Sequence, residues 1–327
     1  MYTKTKKITT IHIEEMNLIK SLSITYKKMS NWGKVLILVI IFLIVYTLFK
    51  NVNERKEGFS IDTNEFTFKD GKSNIYDDFY VNIYDQLVYS DVKNDYEIKQ
   101  IVNNTKPDEK SIILDIGSGT GHHVAALASQ NFKVIGVDQS QEMVDKAKNM
   151  YPKLDFMQGD VMNAMSFQPQ SFTHILCLYF TIYYMQDKLQ FFRNCMNWLM
   201  GGGYLVIHLV DKYLFDTMIP PANPLLLLTP QRYAEKRITT SKVAFDDFQY
   251  MSNFEINDTD NHAKFVESFK NKKSGKVFRK QEHELYMEPY KEILSMAKDA
   301  GFIIQGKIDL LQSGYEYQYL FVLVKPN

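Results

Sequence analysis

The octapeptide LDIGSGTG, Leu114 to Gly121, constrains this chain more than any other stretch: a carboxylate followed by glycine at every second position, 117, 119 and 121. Before it, SIILDI at 111–116 is a short apolar run of the kind that forms a buried parallel strand, and after it HHVAALASQ has helix-forming composition. The glycines therefore sit at a strand-to-helix turn, where missing side chains let a ligand lie close to main-chain N–H groups. A second strand, KVIGVD at 133–138, ends in an acid 17 positions beyond Gly121, placed to accept the two hydroxyls of a ribose.

The spacing discriminates between nucleoside cofactors. Dinucleotide enzymes use GxGxxG, which brings a pyrophosphate to the helix start. Here the pattern is GxGxG with Asp115 before it, a carboxylate that repels pyrophosphate and suits a cationic amino acid. A nicotinamide oxidoreductase is disfavoured on that ground. LDIGSGTG, VIGVDQS and the later MQGDVMN together, in that order, resemble the cofactor motifs of the class I S-adenosylmethionine-dependent methyltransferases, most firmly over 111–211. The resemblance implies an α/β fold: a seven-stranded Rossmann-like sheet with helices on both faces. It implies S-adenosylmethionine as cofactor and in-line methyl transfer to nitrogen or oxygen of a small-molecule or membrane-associated acceptor. A non-catalytic membrane-anchored scaffold that kept the fold is the alternative.

The expected cofactor set is Asp115, Gly117, Ser118, Gly119, Gly121, Asp138, Gln139, Asp160, Val161, Tyr179 and Tyr84. By resemblance, Asp160 accepts the adenine amino group and the Val161 N–H meets a ring nitrogen. His123 matches a histidine that follows the glycines in some sugar-amine methyltransferases. The aromatic run 179–184 suits an apolar pocket around a sulfonium, whose charge is attracted to ring faces. If the acceptor needs a base, His208, Tyr179 and Asp211 are the candidates. Tyr76, Tyr80 and Tyr84 read equally well as a cover over the cofactor or as core.

Charge narrows the acceptor. Lysine and arginine number 38 and so do the acids, but residues 1–59 hold ten basic and four acidic residues, leaving the remainder net acidic. Such a surface does not suit nucleic acid. The two cysteines, Cys177 and Cys195, read as core residues, and no metal site is implied.

Along the chain, residues 1–31 form a membrane-proximal segment with an amphipathic stretch at 11–28. Residues 32–50 contain VLILVIIFLIVYTLF, 15 residues broken only by Thr47, and read as a transmembrane helix contacting a lipid bilayer. The expected localisation is a single-pass membrane protein with its catalytic domain on the cytosolic side, although flanking lysines leave the orientation open. Residues 51–73 read as a linker, and 74–327 as the methyltransferase domain. Within it, a β-rich insertion at about 212–287 follows the fifth strand, with an apolar run at Leu225 to Leu228, and serves as a lid that selects the acceptor. Helices are expected at 77–89, 92–104 and 289–300, and a glycine-rich turn at Gly201 to Gly203 before the fifth strand, 204–210.

Overall fold

The computed structural model describes residues 29–53, 65–71, 74–220, 231, 234–257 and 259–327. The amphipathic stretch at 11–28, most of the linker and the run Leu225 to Leu228 lie outside the described residues. The chain divides into two units, Met1–Ile61 and Asp62–Asn327.

The described part of the first unit is a helix, α1 (Asn31–Asn53). The expectation of a transmembrane segment at 32–50 is overturned: among the described residues no helix is long and apolar enough to cross a membrane. The bilayer contact and the single-pass membrane localisation fall with it. Length is the physical reason. As a helix the 15-residue apolar run rises about 22 Å, short of a hydrocarbon core of about 30 Å. In the sequence Asn31 and Lys34 precede that run, and Lys50, Asn51 and Asn53 follow it.

The second unit opens with a short strand, β1 (Thr67–Lys69), and two helices, α2 (Asp78–Val88) and α3 (Asp91–Thr105). Asp77 and Ser90 start the helices in extended backbone, their side chains accepting the amides of Tyr80 and Lys93. Strands and helices then alternate: β2 (Ile112–Ile116), α4 (His122–Ala128), β3 (Lys133–Asp138), α5 (Gln141–Met150), β4 (Asp155–Gln158), β5 (Phe172–Cys177), α6 (Lys188–Trp198) and β6 (Leu199–Val210). Ser140 caps α5 as its sequence position predicts, accepting the Met143 amide at 3.2 Å.

Four strands follow: β7 (Thr240–Ala244), β8 (Phe248–Ile256), β9 (His262–Asn271) and β10 (Val277–Tyr286). A helix, α7 (Tyr290–Asp299), and two strands, β11 (Ile303–Asp309) and β12 (Gln318–Val324), close the chain. The larger sheet has seven strands in the order β11-β12-β6-β5-β2-β3-β4, with β12 antiparallel to both neighbours. The insertion strands form a second sheet of five, β1-β10-β9-β8-β7, to which the lead-in strand β1 contributes by running parallel to β10.

Alternation along the central strands builds both sides of the core. In β2, Leu114 and Ile116 join the cluster around Phe191, Trp198 and Ile293 of α6 and α7. Ile113 points the other way, to Ile98 and Ile101 of α3 and Val124 of α4. Order and alternation together put the C-terminal ends of β2, β3 and β5 side by side, where the strand order reverses and ligands of such sheets bind. The expected turn at Gly201 to Gly203 falls within β6 as a bulge, where the pairing with β5 jumps from Phe172 opposite Leu199 to His174 opposite Tyr204 and Gly202 is left-handed (φ +72). A Cβ on Gly203 would lie 2.9 Å from the carbonyl oxygens of Met200 and Thr173, so strand contact rather than turning requires glycine there.

Candidate cofactor and acceptor site

At the end of β2 the chain crosses to α4 through three left-handed glycines, Gly117 (φ +68), Gly119 (φ +53) and Gly121 (φ +90). Two are hemmed in by protein. A Cβ on Gly117 would meet Thr181 Cγ2 and Oγ1 at 2.5 Å, and one on Gly121 would meet Phe156 Cζ at 2.6 Å. Gly119 differs, because its Cβ would meet only Tyr84 Cε1 at 3.9 Å. The middle glycine is therefore open where its two neighbours in the motif are closed by protein.

The loop amides are less available than the sequence suggests. Gly117 N–H and Ser118 N–H both donate to the Val137 carbonyl, and Gly119 N–H donates to Asp138 Oδ2 at 2.9 Å. With α4 only seven residues long, the turn is shaped to present carbon surface and carbonyls rather than a row of open amides. An anionic pyrophosphate finds little there, in keeping with the GxGxG spacing.

Two buried oxygens at this turn have no hydrogen-bond partner: Asp115 Oδ2 and Ser118 Oγ. Asp115 is 2% exposed. Burial pushes its carboxyl up to about 6, with His123 pulling down and the nearby Asp138 and Glu97 pushing further up. A buried carboxylate of this kind lacks a cation. Asp138, at the tip of β3, accepts Gly119 N–H on one oxygen and Ser140 N–H on the other, each at 2.9 Å. Burial raises its carboxyl, and these backbone bonds oppose the rise. Each oxygen keeps a lone pair for a hydroxyl. Asp160 and Gln139 are exposed, Val161 is half-buried, and Asp160 Oδ1 accepts the Met162 amide at 2.9 Å.

The lead-in helix is fastened to the glycine turn. Asp85 of α2 accepts Thr120 Oγ1–H at 2.6 Å and lies 3.0 Å from His122 Nε2, and the His122 ring stacks on Tyr89 at 3.7 Å. Tyr84 of this lead-in, the neighbour of Gly119, stands edge to face with Tyr76 at 6.0 Å, whereas Tyr80 is core. Beneath the turn, Glu97 bonds Lys93 Nζ at 2.6 Å and His123 Nε2 at 3.0 Å. Burial would raise the Glu97 carboxyl, but Lys93 and His123 outweigh it and hold it at about 2. The sequence match at His123 thus resolves into a brace on α3.

The candidate bases fare differently. Tyr179 follows β5 in a left-handed conformation (φ +52), unusual for a bulky side chain, with Lys93 Nζ 5.1 Å from its ring centre. Its carbonyl accepts from His208 Nδ1–H. His208 is fully buried, and its Nε2 lies 3.0 Å from the Gln318 side-chain amide, which meets the imidazole lone pair when its N–H is turned inward. Burial and the Lys93 charge lower its pKa to about 4. Both nitrogens are committed to the fold, so His208 does not present a lone pair to an acceptor. Asp211 caps the turn after β6, accepting the amides of Tyr213, Leu214 and Phe215.

A second polar cluster, whose Glu267, Gln281 and His283 are absent from the sequence-based candidates, lies on the inner face of the smaller sheet. Glu267 of β9 is fully buried and accepts from Tyr80 Oη at 2.8 Å, Tyr250 Oη at 2.6 Å, Gln281 Nε2 and His283 Nε2, the last at 2.7 Å. His283 Nδ1 lies 2.8 Å from Tyr184 Oη, and Tyr184 Oη accepts from Tyr76 Oη at 2.9 Å. Tyr184 ends the 3₁₀ turn Thr181–Tyr184 beyond β5, the turn whose Thr181 packs on Gly117.

Comparison with known proteins agrees with this geometry. Residues 113–203 match a family described as a methyltransferase domain. Among curated proteins, the chain is 31% identical over 153 residues to a dTDP-4-amino-2,3,4,6-tetradeoxy-D-glucose N,N-dimethyltransferase of Saccharopolyspora spinosa, covering 43% of this chain and 60% of that one. It is 32% identical over 129 residues to a demethylmenaquinone methyltransferase of Chlorobaculum parvum, covering 39% and 48%. The chain thus spans about half to three-fifths of the length of these relatives. A solved methyltransferase of Clostridium acetobutylicum superposes with a TM-score of 0.56 at 20% identity over 76% of this chain and 98% of that one. A SAM-bound amino-pentose methyltransferase from Micromonospora echinaspora gives 0.52 at 18% over 71% and 90%. The fold is that of the class I S-adenosylmethionine-dependent methyltransferases.

Proposed function

We propose that this chain is an S-adenosylmethionine-dependent methyltransferase acting on a small-molecule acceptor. The observation that carries the reading is the partnerless oxygen of Asp115, buried beside the open Gly119 and the carboxylate of Asp138. An ammonium, an unhindered nucleoside and a ribose diol answer those three features in turn. The matched family region and the relatives named above support the same class of activity.

Bound there, S-adenosylmethionine supplies a sulfonium methyl open to displacement. The chain's own residues hold and align. Asp115 pairs with the ammonium, and the turn Gly117-Ser118-Gly119, closed by Gly121, lies along the nucleoside. Asp138 takes the ribose hydroxyls with Gln139 beside it, and Asp160 and the Val161 N–H take the adenine edge. Tyr84 and Tyr179 offer ring faces to the sulfonium. The methyltransferase domain is taken as 74–327, with the insertion at 212–287 over the acceptor. Enclosure by these aromatic and insertion residues lowers water access and fixes the approach of the acceptor, the two contributions such a displacement needs from protein.

Calorimetric titration of the full chain with S-adenosylmethionine, S-adenosylhomocysteine and NAD tests the reading. Binding of the first two and none of NAD is expected. Failure to bind either sulfur nucleoside overturns it. Transfer of labelled methyl to a dTDP-amino sugar and to a demethylated quinol, run side by side, then distinguishes nitrogen from other acceptors.

A further inference from the structure

We propose that Tyr184 is a catalytic residue, the phenol that takes the acceptor's proton while handing its own to His283, which Glu267 holds in place. The inference rests on the methyltransferase reading above and deepens it: the acceptor is one that carries a proton on the attacking oxygen or nitrogen and must lose it.

The direction of the hydrogen-bond chain is set by its buried end. Burial would raise the Glu267 carboxyl, but His283, Tyr250 and Gln281 outweigh it and hold it below the usual carboxylate range, so it is ionised and can only accept. His283 Nε2 must then carry hydrogen, and in the neutral imidazole Nδ1 is left as the acceptor to which Tyr184 donates. Donation inward leaves the lone pairs of Tyr184 Oη facing outward. Tyr76 O–H takes one. No described residue takes the other, and Tyr184 is 41% exposed. Every bond from Glu267 outward thus prepares Tyr184 to receive a proton.

Position agrees with direction. Tyr76, whose O–H bonds Tyr184, has its ring 6.0 Å from Tyr84, the neighbour of open Gly119. The relay's outer end therefore borders the site assigned to the nucleoside, on the side where an acceptor would approach. Its inner end is dry: the rings of Tyr76, Tyr80 and Phe265 pack around His283 with centres 5.7–5.9 Å away. The titratable groups facing the imidazole are Glu267, Tyr184, Tyr76 and Tyr80, with Tyr250 on the far side of Glu267. A fully buried carboxylate is costly to a fold, and an apolar residue of similar volume commonly serves stability as well or better. A stable sheet does not itself require this arrangement.

The step balances. The acceptor's lone pair forms a bond to the methyl carbon as the carbon–sulfur pair withdraws onto sulfur, giving a neutral thioether. The acceptor's proton passes to Tyr184 Oη, the Tyr184 proton passes to His283 Nδ1, and the imidazolium so formed is held against ionised Glu267 until solvent removes the proton. Tyr184 ionises far less readily than a free phenol, so it serves as a conduit and not as a standing tyrosinate.

The experiment uses the full chain with Tyr184→Phe, His283→Gln and Glu267→Gln. S-adenosylhomocysteine affinity of Tyr184→Phe should stay within about threefold of the parent, since the substitution removes no proposed nucleoside contact; absence of binding by the parent sinks the methyltransferase reading and the relay together. Nitrogen-15 histidine spectra of the complex, with His283 assigned through His283→Gln, should show the Nε2-protonated tautomer, its Nδ1 signal moving in Tyr184→Phe. An Nδ1-protonated His283, or one indifferent to Tyr184→Phe, overturns the relay alone. With the acceptor that takes labelled methyl, Tyr184→Phe should lower kcat about 100-fold with KM nearly unchanged. Unchanged kcat with intact S-adenosylhomocysteine binding refutes the relay and leaves the methyltransferase assignment standing.

Discussion

Asp138 accepts the Gly119 amide at 2.9 Å, so the acid at the tip of β3 holds the glycine turn that leaves β2. The same carboxylate accepts Ser140 N–H and thereby secures the start of α5. It shapes the site before any nucleoside arrives. Asp138→Ala should lose both bonds and about 1–3 kcal/mol of stability, together with at least tenfold in S-adenosylhomocysteine affinity. Asp138→Asn keeps one acceptor oxygen and should lie between, as denaturant midpoints and titration calorimetry will show.

Gly117 and Gly119 should respond differently to alanine. At Gly117 the new methyl strikes Thr181 at 2.5 Å on top of an unfavourable φ, so a stability loss of several kcal/mol and poor folding are expected. At Gly119 the protein leaves room, and the cost is confined to backbone strain of about 1–2 kcal/mol. Gly119→Ala should therefore fold yet bind the nucleoside at least tenfold more weakly. Equal stability loss in the two variants contradicts the assignment.

Asp115 and His208 should pull acid stability in opposite directions. The Asp115 carboxyl, raised by burial from about 3.9 unfolded to about 6, favours the fold below about pH 4, and that contribution is lost as pH rises through 6. The His208 imidazole, lowered from about 6.5 to about 4, favours the fold above pH 6.5, and its contribution is lost as pH falls through 4. The two largely offset between pH 4 and 6. Asp115→Asn should therefore unmask a steeper fall in urea midpoint from pH 6.5 to 4 than the parent shows. Pairing Asp115 with an ammonium lowers its pKa, so nucleoside binding near pH 6 should release a proton that the variant does not release. Calorimetry in two buffers of different ionisation enthalpy reads that proton.

Removing the Glu97 charge should cost more than removing the whole brace. Lys93 is 5% exposed and Glu97 fully buried, so Glu97→Gln strands a buried ammonium, with an expected loss of about 3–5 kcal/mol. The pair Lys93→Met with Glu97→Leu should recover much of it. Thermal melts of the three proteins check the ordering.

The glycine turn and the strands around it were readable from sequence because their requirements are local. A strand, a glycine turn and a helix follow one another along the chain, and Gly117, Gly121 and Asp138 are constrained by neighbours that the family pattern already implies. His208 was misread as a free base because its partners, the Tyr179 carbonyl and Gln318, come from a distant turn and from the antiparallel β12. The relay was missed for the same kind of reason. Glu267 sits opposite Gln281 and two positions from the level of His283 only once β9 and β10 are paired. A trace was nonetheless present: in both strands the buried alternate positions place Glu267, Gln281 and His283 among Phe265, Phe269 and Leu285. The membrane anchor was over-read because uniform hydrophobicity was weighed above length, and 15 residues do not reach across a bilayer.

The lead-in strand β1 runs beside β10, and Arg279 of β10 grips both oxygens of Asp77 at 2.9 and 2.8 Å. Cutting the chain between Lys69 and Asp77 would strip away that flank and leave β10 with a row of unsatisfied amides and carbonyls, a template on which a second molecule could zip. Trimming this protein for crystallisation should therefore start ahead of Thr67, since a shorter version is expected to self-associate.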